Sequence, residues 1–131
     1  MNLVSIRLIT DNIHQLVTFY EHLTGIEPTW STPDFAELTT PSATLAIGST
    51  RTVPLFAPGS ARPADNHTAI IEFHVPDVDA TYTRLRATVT DFVNEPTTMP
   101  WGNRSLLLRD PDGNLINLFT PITEQALAKF A

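Results

Sequence analysis

The order of predicted elements repeats once along the chain, and this repeat limits the possible folds more than any other feature. Alternating apolar residues predict a strand at 3–10. An apolar helical stripe follows it, with Asn12 placed to begin the helix and Gly25 to end it. Three short strand candidates complete this half. The same order begins again about 65 residues later, with a strand from Thr68 to Val75 and a helix that begins after Asp77 and whose apolar stripe extends to Val89. The sequence therefore predicts an α+β fold built from two βαβββ modules in tandem.

The repeat also gives the expected boundaries within a single domain of 131 residues. We expect a first module at 1–49, a linker at 50–67, a second module at 68–121 and a closing helix at 122–131. The linker contains several prolines and no apolar period, so it is predicted to be a connection or a flap over a binding site. The short strands expected after the two helices are 26–30, 35–40 and 43–48, then 91–94, 104–109 and 115–120.

The composition is that of a globular protein and excludes several kinds of site. Hydrophobic residues make up 42% and charged residues 17% of the chain, which is enough apolar material for a core. The absence of cysteine excludes disulfides and thiolate metal sites. A net charge of −6 without any basic cluster argues against nucleic acid as a partner. No stretch is long and apolar enough to span a membrane, so we expect a cytoplasmic protein that binds neither nucleic acid nor membranes.

The alternation within the first strand of each module predicts which side chains face a ligand. The helix of each module must cover one face of its sheet, which leaves the other face toward a cleft. The helix side is predicted to hold the apolar residues Val4, Ile6, Leu8, Ile71, Phe73 and Val75. The cleft side is then predicted to hold Ser5, Arg7, Ile9, Ile70, Glu72 and His74.

A tight turn joins two apolar strands near the end of the chain. The turn is Asp110-Pro111-Asp112-Gly113, in which Pro111 fixes φ and Gly113 supplies a positive φ. In the strand that follows, Asn117 interrupts a run of apolar residues. A lone amide inside an otherwise apolar strand indicates a specific hydrogen-bonding role, either within the protein or toward a ligand.

Three motifs connect this pattern to a known family. They are N-x6-F-Y in the first helix (Asn12, Phe19 and Tyr20), V-x-D-x-D-A at 75–80 and R-D-P-D-G-N-L-I-x-L-F at 109–119. Together with the repeat, they resemble the vicinal oxygen chelate superfamily, which contains glyoxalases, extradiol dioxygenases and bleomycin-resistance proteins. The resemblance covers nearly the whole chain, and it implies two modules that form a curved mixed sheet with a central cleft. It also implies a homodimer.

The resemblance further implies four metal-ligand positions, one on each of the first, fourth, fifth and eighth strands. Carried across by the motifs, these positions fall on Ser5, Ala46, Ile70 and Asn117. Ala46 and Ile70 have no donor atom, and the neutral oxygens of Ser5 and Asn117 bind transition metals weakly. We therefore expect no metal and no other cofactor. The alternative is that Glu72 and His74 hold a relocated divalent metal or act as an acid–base pair.

Seven residues are candidates for ligand contact. The polar candidates are Arg7, Glu72, His74 and Asn117, and the aromatic candidates for the walls of a pocket are Trp30, Phe35 and Trp101. Each has a structural alternative. Arg7 would equally pair with Glu72 inside the protein, and Glu72 and His74 would simply hydrogen-bond to neighbours or water. The aromatic side chains would pack in the core or at a dimer interface.

Two functions of different classes remain open. The favoured one is a metal-free protein of the bleomycin-resistance type that sequesters or senses a small molecule in the cleft. The alternative is an enzyme of the same superfamily, glyoxalase- or dioxygenase-like, that uses a relocated metal or acid–base chemistry alone. We favour binding because three of the four implied ligand positions carry the wrong residue type.

Overall fold

The computed structural model describes residues 1–131 and divides into two units, Met1–Asn66 (module 1) and His67–Ala131 (module 2). Module 1 contains β1 (Ser5–Thr10), α1 (Ile13–Thr24), β2 (Thr29–Thr32), β3 (Phe35–Thr39), β4 (Thr44–Ser49) and a 3-10 helix (Thr50–Leu55). Module 2 contains β5 (Ile70–His74), α2 (Val78–Leu85), β6 (Thr97–Thr98), β7 (Asn103–Arg109), β8 (Leu115–Pro121) and α3 (Glu124–Lys129). No helix in either module has both the length and the hydropathy needed to cross a membrane.

Each module has its own four-stranded mixed sheet. The strand order is β1-β4-β3-β2 in module 1 and β5-β8-β7-β6 in module 2. In each sheet the first strand pairs in parallel with the last strand of the module, and the remaining pairs are antiparallel. The prediction of an α+β fold with two tandem βαβββ modules is confirmed.

Local capping chemistry fixes the ends of α1 where the sequence predicted them. The Asn12 side chain accepts a hydrogen bond from the Gln15 N–H at 3.2 Å, and Gly25 ends the helix with a φ of +71°. The buried side of the helix is formed by Ile13, Leu16, Val17, Tyr20 and Leu23. This side packs on β3 and β4, whose buried residues include Ala36, Leu38, Leu45 and Ile47. Burial of each large apolar side chain contributes about 1.5–3 kcal/mol.

The predicted core role of Val4 is wrong. Val4 lies before β1 and is 64% exposed, and Ile6 within the strand is exposed as well. The reason is that β1 is an edge strand, whereas α1 packs on β3 and β4. Alternation assigns a residue to a face, but it does not indicate how far the helix extends over that face.

The core of module 2 lies between α2 and the strands β7 and β8. The helix begins after Asp77, whose side chain accepts a hydrogen bond from the Ala80 N–H at 3.0 Å, as predicted. Val78 and Leu85 are buried against strands whose core residues are Leu106, Leu108, Ile116 and Leu118. Two predicted ends are corrected, because α2 stops at Leu85 before Val89, and β5 stops at His74 before Val75.

Two predicted strands lie elsewhere in the structure. The candidate at 26–30 begins later, as β2. The candidate at 91–94 is replaced by β6, and Phe92 forms only an isolated bridge with Leu108. Here the Asn94 side chain accepts the Leu107 N–H at 2.8 Å, and Pro96 has no N–H to donate to a strand ladder. The ladder is therefore interrupted, and regular pairing with β7 resumes at Thr97.

Residues that are paired in register lie on the same side of a sheet, so the pairing defines the face that each helix leaves uncovered. We call this the open face. In module 1 the open face holds Ser5, Arg7, Ile9, Phe35, Glu37, Ala46 and Gly48. In module 2 it holds Ile70, Glu72, His74, Ser105, Leu107, Leu115, Asn117 and Phe119. The predicted division into a helix side and an opposite side is confirmed for the residues within β1 and β5.

One carboxylate organises the turn before β8. Asp110 is 4% exposed, and one of its side-chain oxygens accepts hydrogen bonds from the N–H groups of Asp112 and Asn114, both at 2.9 Å. Its other oxygen accepts a hydrogen bond from the Asn114 side-chain amide at 2.7 Å. Gly113 has a φ of +83°, as the turn sequence predicted. The turn fixes where β8 begins and therefore where Asn117 lies.

Candidate functional site

Asn117 and Glu72 form the polar centre of the open face of module 2. They are neighbours in the parallel register of β5 and β8, and the Asn117 side-chain N–H donates a hydrogen bond to a Glu72 carboxylate oxygen at 2.7 Å. The carbonyl oxygen of the same amide is enclosed and has no hydrogen-bond partner in the protein. The amide therefore orients Glu72 with its N–H, while its enclosed carbonyl oxygen stays unsatisfied.

His74 lies on the same open face but in an aromatic cluster. Its ring is stacked on Phe119 at 5.6 Å between ring centres, and it also contacts Phe130 at 5.2 Å. Phe130 follows α3 and contacts Phe119 as well, at 5.2 Å. No hydrogen bond or ion pair joins His74 to Glu72. The predicted acid–base pair thus consists of two residues on one face, each with a different partner.

Arg7 lies against two phenyl rings on the open face of module 1. Its guanidinium carbon is 4.8 Å from the centre of the Phe35 ring and 5.1 Å from that of Phe56. Within module 1 the guanidinium makes no ion pair or hydrogen bond. Within its own module Arg7 contacts Phe35 and Phe56, and Glu72 accepts a hydrogen bond from Asn117.

The segment after β4 brings Phe56 to Arg7. It was predicted as part of a linker without a regular period, but residues 50–55 form a 3-10 helix. The Ser49 side chain caps this helix by accepting the Arg51 N–H at 3.2 Å. Thr52 lies close to the sheet, since a Cβ added to Gly48 would be 3.0 Å from the Thr52 hydroxyl oxygen. Glycine at position 48 therefore permits the helix to pack this closely.

Asp34 attaches the same helix to the end of β4. One carboxylate oxygen accepts hydrogen bonds from the Arg51 Nε–H and from the Ser49 hydroxyl, both at 2.8 Å. These hydrogen bonds, that from Arg51 foremost, lower the pKa of the Asp34 carboxyl below its ordinary value. The network holds the 3-10 helix, and through it Phe56, beside the open face.

Trp30 does not share a wall with Phe35. Trp30 pairs with the buried Ala36 and therefore lies on the α1 side of the sheet, where its ring is 5.2 Å from His14. These two rings border a shallow depression of about 500 Å³, with Ser31, Thr32 and Pro33. Trp101 is 67% exposed in the loop before β7. Of the seven predicted residues, the structure thus groups Arg7 with Phe35, and Glu72 with Asn117.

The four implied metal positions do not fit a divalent ion. Ala46 and Ile70 present only hydrocarbon, and the amide nitrogen of Asn117 is engaged with Glu72. Ser5 adds one neutral hydroxyl, which is a weak ligand without an imidazole or carboxylate beside it. Across the chain, no three His, Cys, Asp or Glu side chains are grouped closely enough to hold a metal ion. A site relocated to Glu72 and His74 would lack a third strong ligand.

Phe56 and Phe130 were missed by the sequence reasoning. Each contacts a predicted site residue, Arg7 and His74 respectively. The sequence did distinguish them, because Phe56 is the one Phe, Trp or Tyr in residues 50–67 and Phe130 is the one in residues 122–131. A single aromatic residue in a connecting or terminal segment is a candidate for a specific contact.

The sequence matches the glyoxalase/bleomycin resistance protein/dioxygenase superfamily over residues 2–118. The chain therefore belongs to this superfamily, as the motifs around Asn12 and Asp110 indicated. No curated protein matches the sequence.

Solved structures show the same fold. A glyoxalase/bleomycin resistance protein/dioxygenase from Nocardioides is 22% identical with a TM-score of 0.77, covering 95% of this chain and 85% of that one. A family enzyme from Burkholderia phytofirmans PsJN is 19% identical with a TM-score of 0.80, covering 93% and 100%. A third structure, described only as a conserved domain protein, is 27% identical with a TM-score of 0.73, covering 92% and 99%. Since one fold supports many activities, these similarities establish the fold, and the function must be inferred from the site residues.

Proposed function

We propose that the protein binds a small organic molecule without a metal ion, and that it sequesters or senses this ligand. The observation that supports this function most is the residue set at Ser5, Ala46, Ile70 and Asn117, which lacks every carboxylate and imidazole. The sheets that carry these positions are intact, so the fold is retained while the ligand atoms for a metal are replaced. Such a replacement suits binding better than metal-assisted catalysis.

The open faces offer the mixture of surfaces that small-molecule sites use. Module 1 contributes a guanidinium beside two phenyl rings, and module 2 contributes a carboxylate held by an amide and an aromatic cluster. Ligand sites are typically apolar surfaces with a few placed polar groups, and both faces have this character. The alternative of acid–base catalysis by Glu72 and His74 is less supported, because the two side chains are not hydrogen-bonded to each other.

We also propose that the protein is a homodimer. The strand β1 lies at the edge of its sheet, and the residues Leu3, Val4 and Ile6 at this edge are exposed. An unpaired apolar edge is favourable for association with a second copy. Sedimentation analysis distinguishes a dimer from the 14.5 kDa monomer.

The metal part of the proposal is tested on protein purified without chelator. We expect no stoichiometric metal by elemental analysis and no increase in unfolding temperature upon addition of Ni²⁺, Zn²⁺, Mn²⁺ or Fe²⁺. If metal is found, His74→Ala and Glu72→Gln are compared with His14→Ala, which removes an imidazole from the α1 side of module 1. Stoichiometric metal that is lost in the first two variants and kept in the third would refute the metal-free function.

The ligand part is tested by screening organic compounds for stabilisation of the same protein. A ligand at a concentration of 100 times its Kd raises the free energy of unfolding by about 2.7 kcal/mol. We expect at least one compound to do so and its effect to fall in Asn117→Ala or Phe35→Leu. A cationic glycopeptide and an aromatic antibiotic belong in the first set of compounds. Turnover of a bound compound, rather than its unchanged release, would establish the enzymatic alternative.

A further inference from the structure

We propose that Arg7 forms an oxyanion-recognition site and that the ligand of this protein is a monocarboxylate with an apolar body. The inference rests on the proposed binding function, for which it names the class of ligand. The site consists of Arg7 with the rings of Phe35 and Phe56, on the open face of module 1.

The first observation is that the hydrogen-bond donors of Arg7 are unused. Its side chain is exposed, and its five N–H groups have no acceptor within module 1. Other arginines in the chain are paired with acids: Arg51 with Asp34, Arg62 with Asp65 and Arg104 with Asp79. Arg7 thus projects from a sheet face with its capacity for a bidentate oxyanion contact intact.

The second observation is that two aromatic rings hold the guanidinium. Contacts at 4.8 Å and 5.1 Å are within the range of cation–π attraction, which restricts the side chain without using its N–H groups. Phe35 is half-buried and fixed by β3, whereas Phe56 is 72% exposed. The exposed ring next to a pre-oriented guanidinium provides an apolar surface for the body of an organic acid.

The third observation concerns charge, and it favours a monoanion over a phosphate. Arg7 is the one cationic side chain on this open face. Glu37 lies in the same register row, separated from Arg7 by Ala46, so its backbone is about 10 Å away across two strand spacings. One guanidinium balances one negative charge, while the Glu37 carboxylate and the net charge of −6 disfavour a dianion.

The experiment titrates matched acids and amides into the full chain. Benzoate is compared with benzamide, hexanoate with hexanamide, and phenylphosphonate serves as the dianionic probe. Binding is followed by NMR through the Nε–H signal of each arginine. The variants are Arg7→Gln, Arg7→Lys and Phe56→Ala, and Arg86→Gln is the control, since Arg86 also lies over a ring, that of Tyr82 at 5.4 Å.

We expect each bound acid to bind about 10- to 100-fold more tightly than its amide, as expected for a charge-assisted hydrogen bond. The Nε–H signal of Arg7 should shift, and Arg7→Gln should reduce acid binding to the level of the amide. Arg7→Lys should retain only part of the preference for acid over amide, because lysine lacks the planar guanidinium that can make two parallel hydrogen bonds to a carboxylate. Arg86→Gln should leave the affinities for both acid and amide unchanged. Phe56→Ala should weaken acid and amide alike, because it removes the apolar surface that both would share.

Three results would overturn the inference: equal affinities for acids and amides, acid binding unaffected by Arg7→Gln, or no acid bound at all. Tighter binding of phenylphosphonate than of benzoate would overturn the monocarboxylate class. These failures differ from failure of the proposed function. If only neutral compounds bind, small-molecule binding is supported and the carboxylate class is refuted. Metal-dependent turnover would refute the proposed function itself.

Discussion

Gly102 precedes β7 and makes a close contact with the start of α3. Its φ is +94°, and its carbonyl oxygen accepts hydrogen bonds from the Ile122 N–H at 2.9 Å and the Thr123 N–H at 3.3 Å. A Cβ added at this position would lie 2.0 Å from the Thr123 hydroxyl oxygen. We therefore predict that Gly102→Ala destabilises the protein through two separable effects, one in the backbone and one in packing.

The magnitude follows from these two effects. A left-handed backbone costs an alanine about 1–2 kcal/mol relative to glycine. Insertion of a methyl group into occupied space typically costs about 1–3 kcal/mol, because Thr123 must move and it also caps α3 by accepting the Ala126 N–H at 3.2 Å. We expect a loss of about 2–5 kcal/mol in the free energy of unfolding, measured by urea denaturation.

The matched control is Gly113→Ala in the same module. Gly113 has a similar φ of +83°, but a Cβ added there would have no atom within 4 Å, so this variant reports the backbone effect alone. In a double-mutant cycle, Thr123→Ala should remove part of the damage of Gly102→Ala, giving a non-additive result. Equal losses in the two glycine variants, or strict additivity in the cycle, would refute the packing argument.

Two further predictions concern polar networks. Asp110→Ala should lower the free energy of unfolding by about 2–4 kcal/mol, because three hydrogen bonds, two of them buried, lose their acceptor. Asp110→Asn should lose less in the same urea experiment. Hydrogen bonds from Arg51 and Arg104 lower the pKa values of Asp34 and Asp79, so both pairs stabilise the fold above the ordinary carboxyl pKa and lose this effect as pH falls through the lowered values. Urea unfolding measured between neutral and acidic pH should show this loss. In Asp79→Asn the free energy of unfolding should decrease less as pH falls, and an unchanged decrease would contradict the pairing of Asp79 with Arg104.

Features set by local chemistry were predictable from the sequence. The caps at Asn12, Gly25 and Asp77 depend on side chains three residues apart or on one glycine, and all three are present in the structure. The division of β1 and β5 into two faces follows from the two-residue period of a strand. Asn117 received a ligand position through the family resemblance, whereas its pairing with Glu72 is a finding of the structure.

Features set by long-range packing were not predictable. The side on which Trp30 lies depends on its pairing with Ala36, which its position near a strand end does not determine. The contact of Phe56 with Arg7 joins residues almost 50 positions apart through a 3-10 helix that proline content concealed. The position of β6 depends on a side-chain acceptor, Asn94, which replaced a backbone carbonyl. In each case the deciding partner is distant in sequence.

The parallel pairing of first and last strands has a consequence for synthesis on the ribosome. In each module the strand that is made first pairs with the strand made last, Ser5 with Thr44 and Ile70 with Leu115. We expect β1 to remain without a paired strand during translation until β4 has emerged from the ribosome. The sheet of module 1 can then be completed before β8 is synthesised. Protease protection of chains stalled at increasing lengths would detect two separate closing steps. A pause in translation after Asn66 would favour folding, whereas a pause before Thr44 would prolong the exposure of an apolar strand to aggregation.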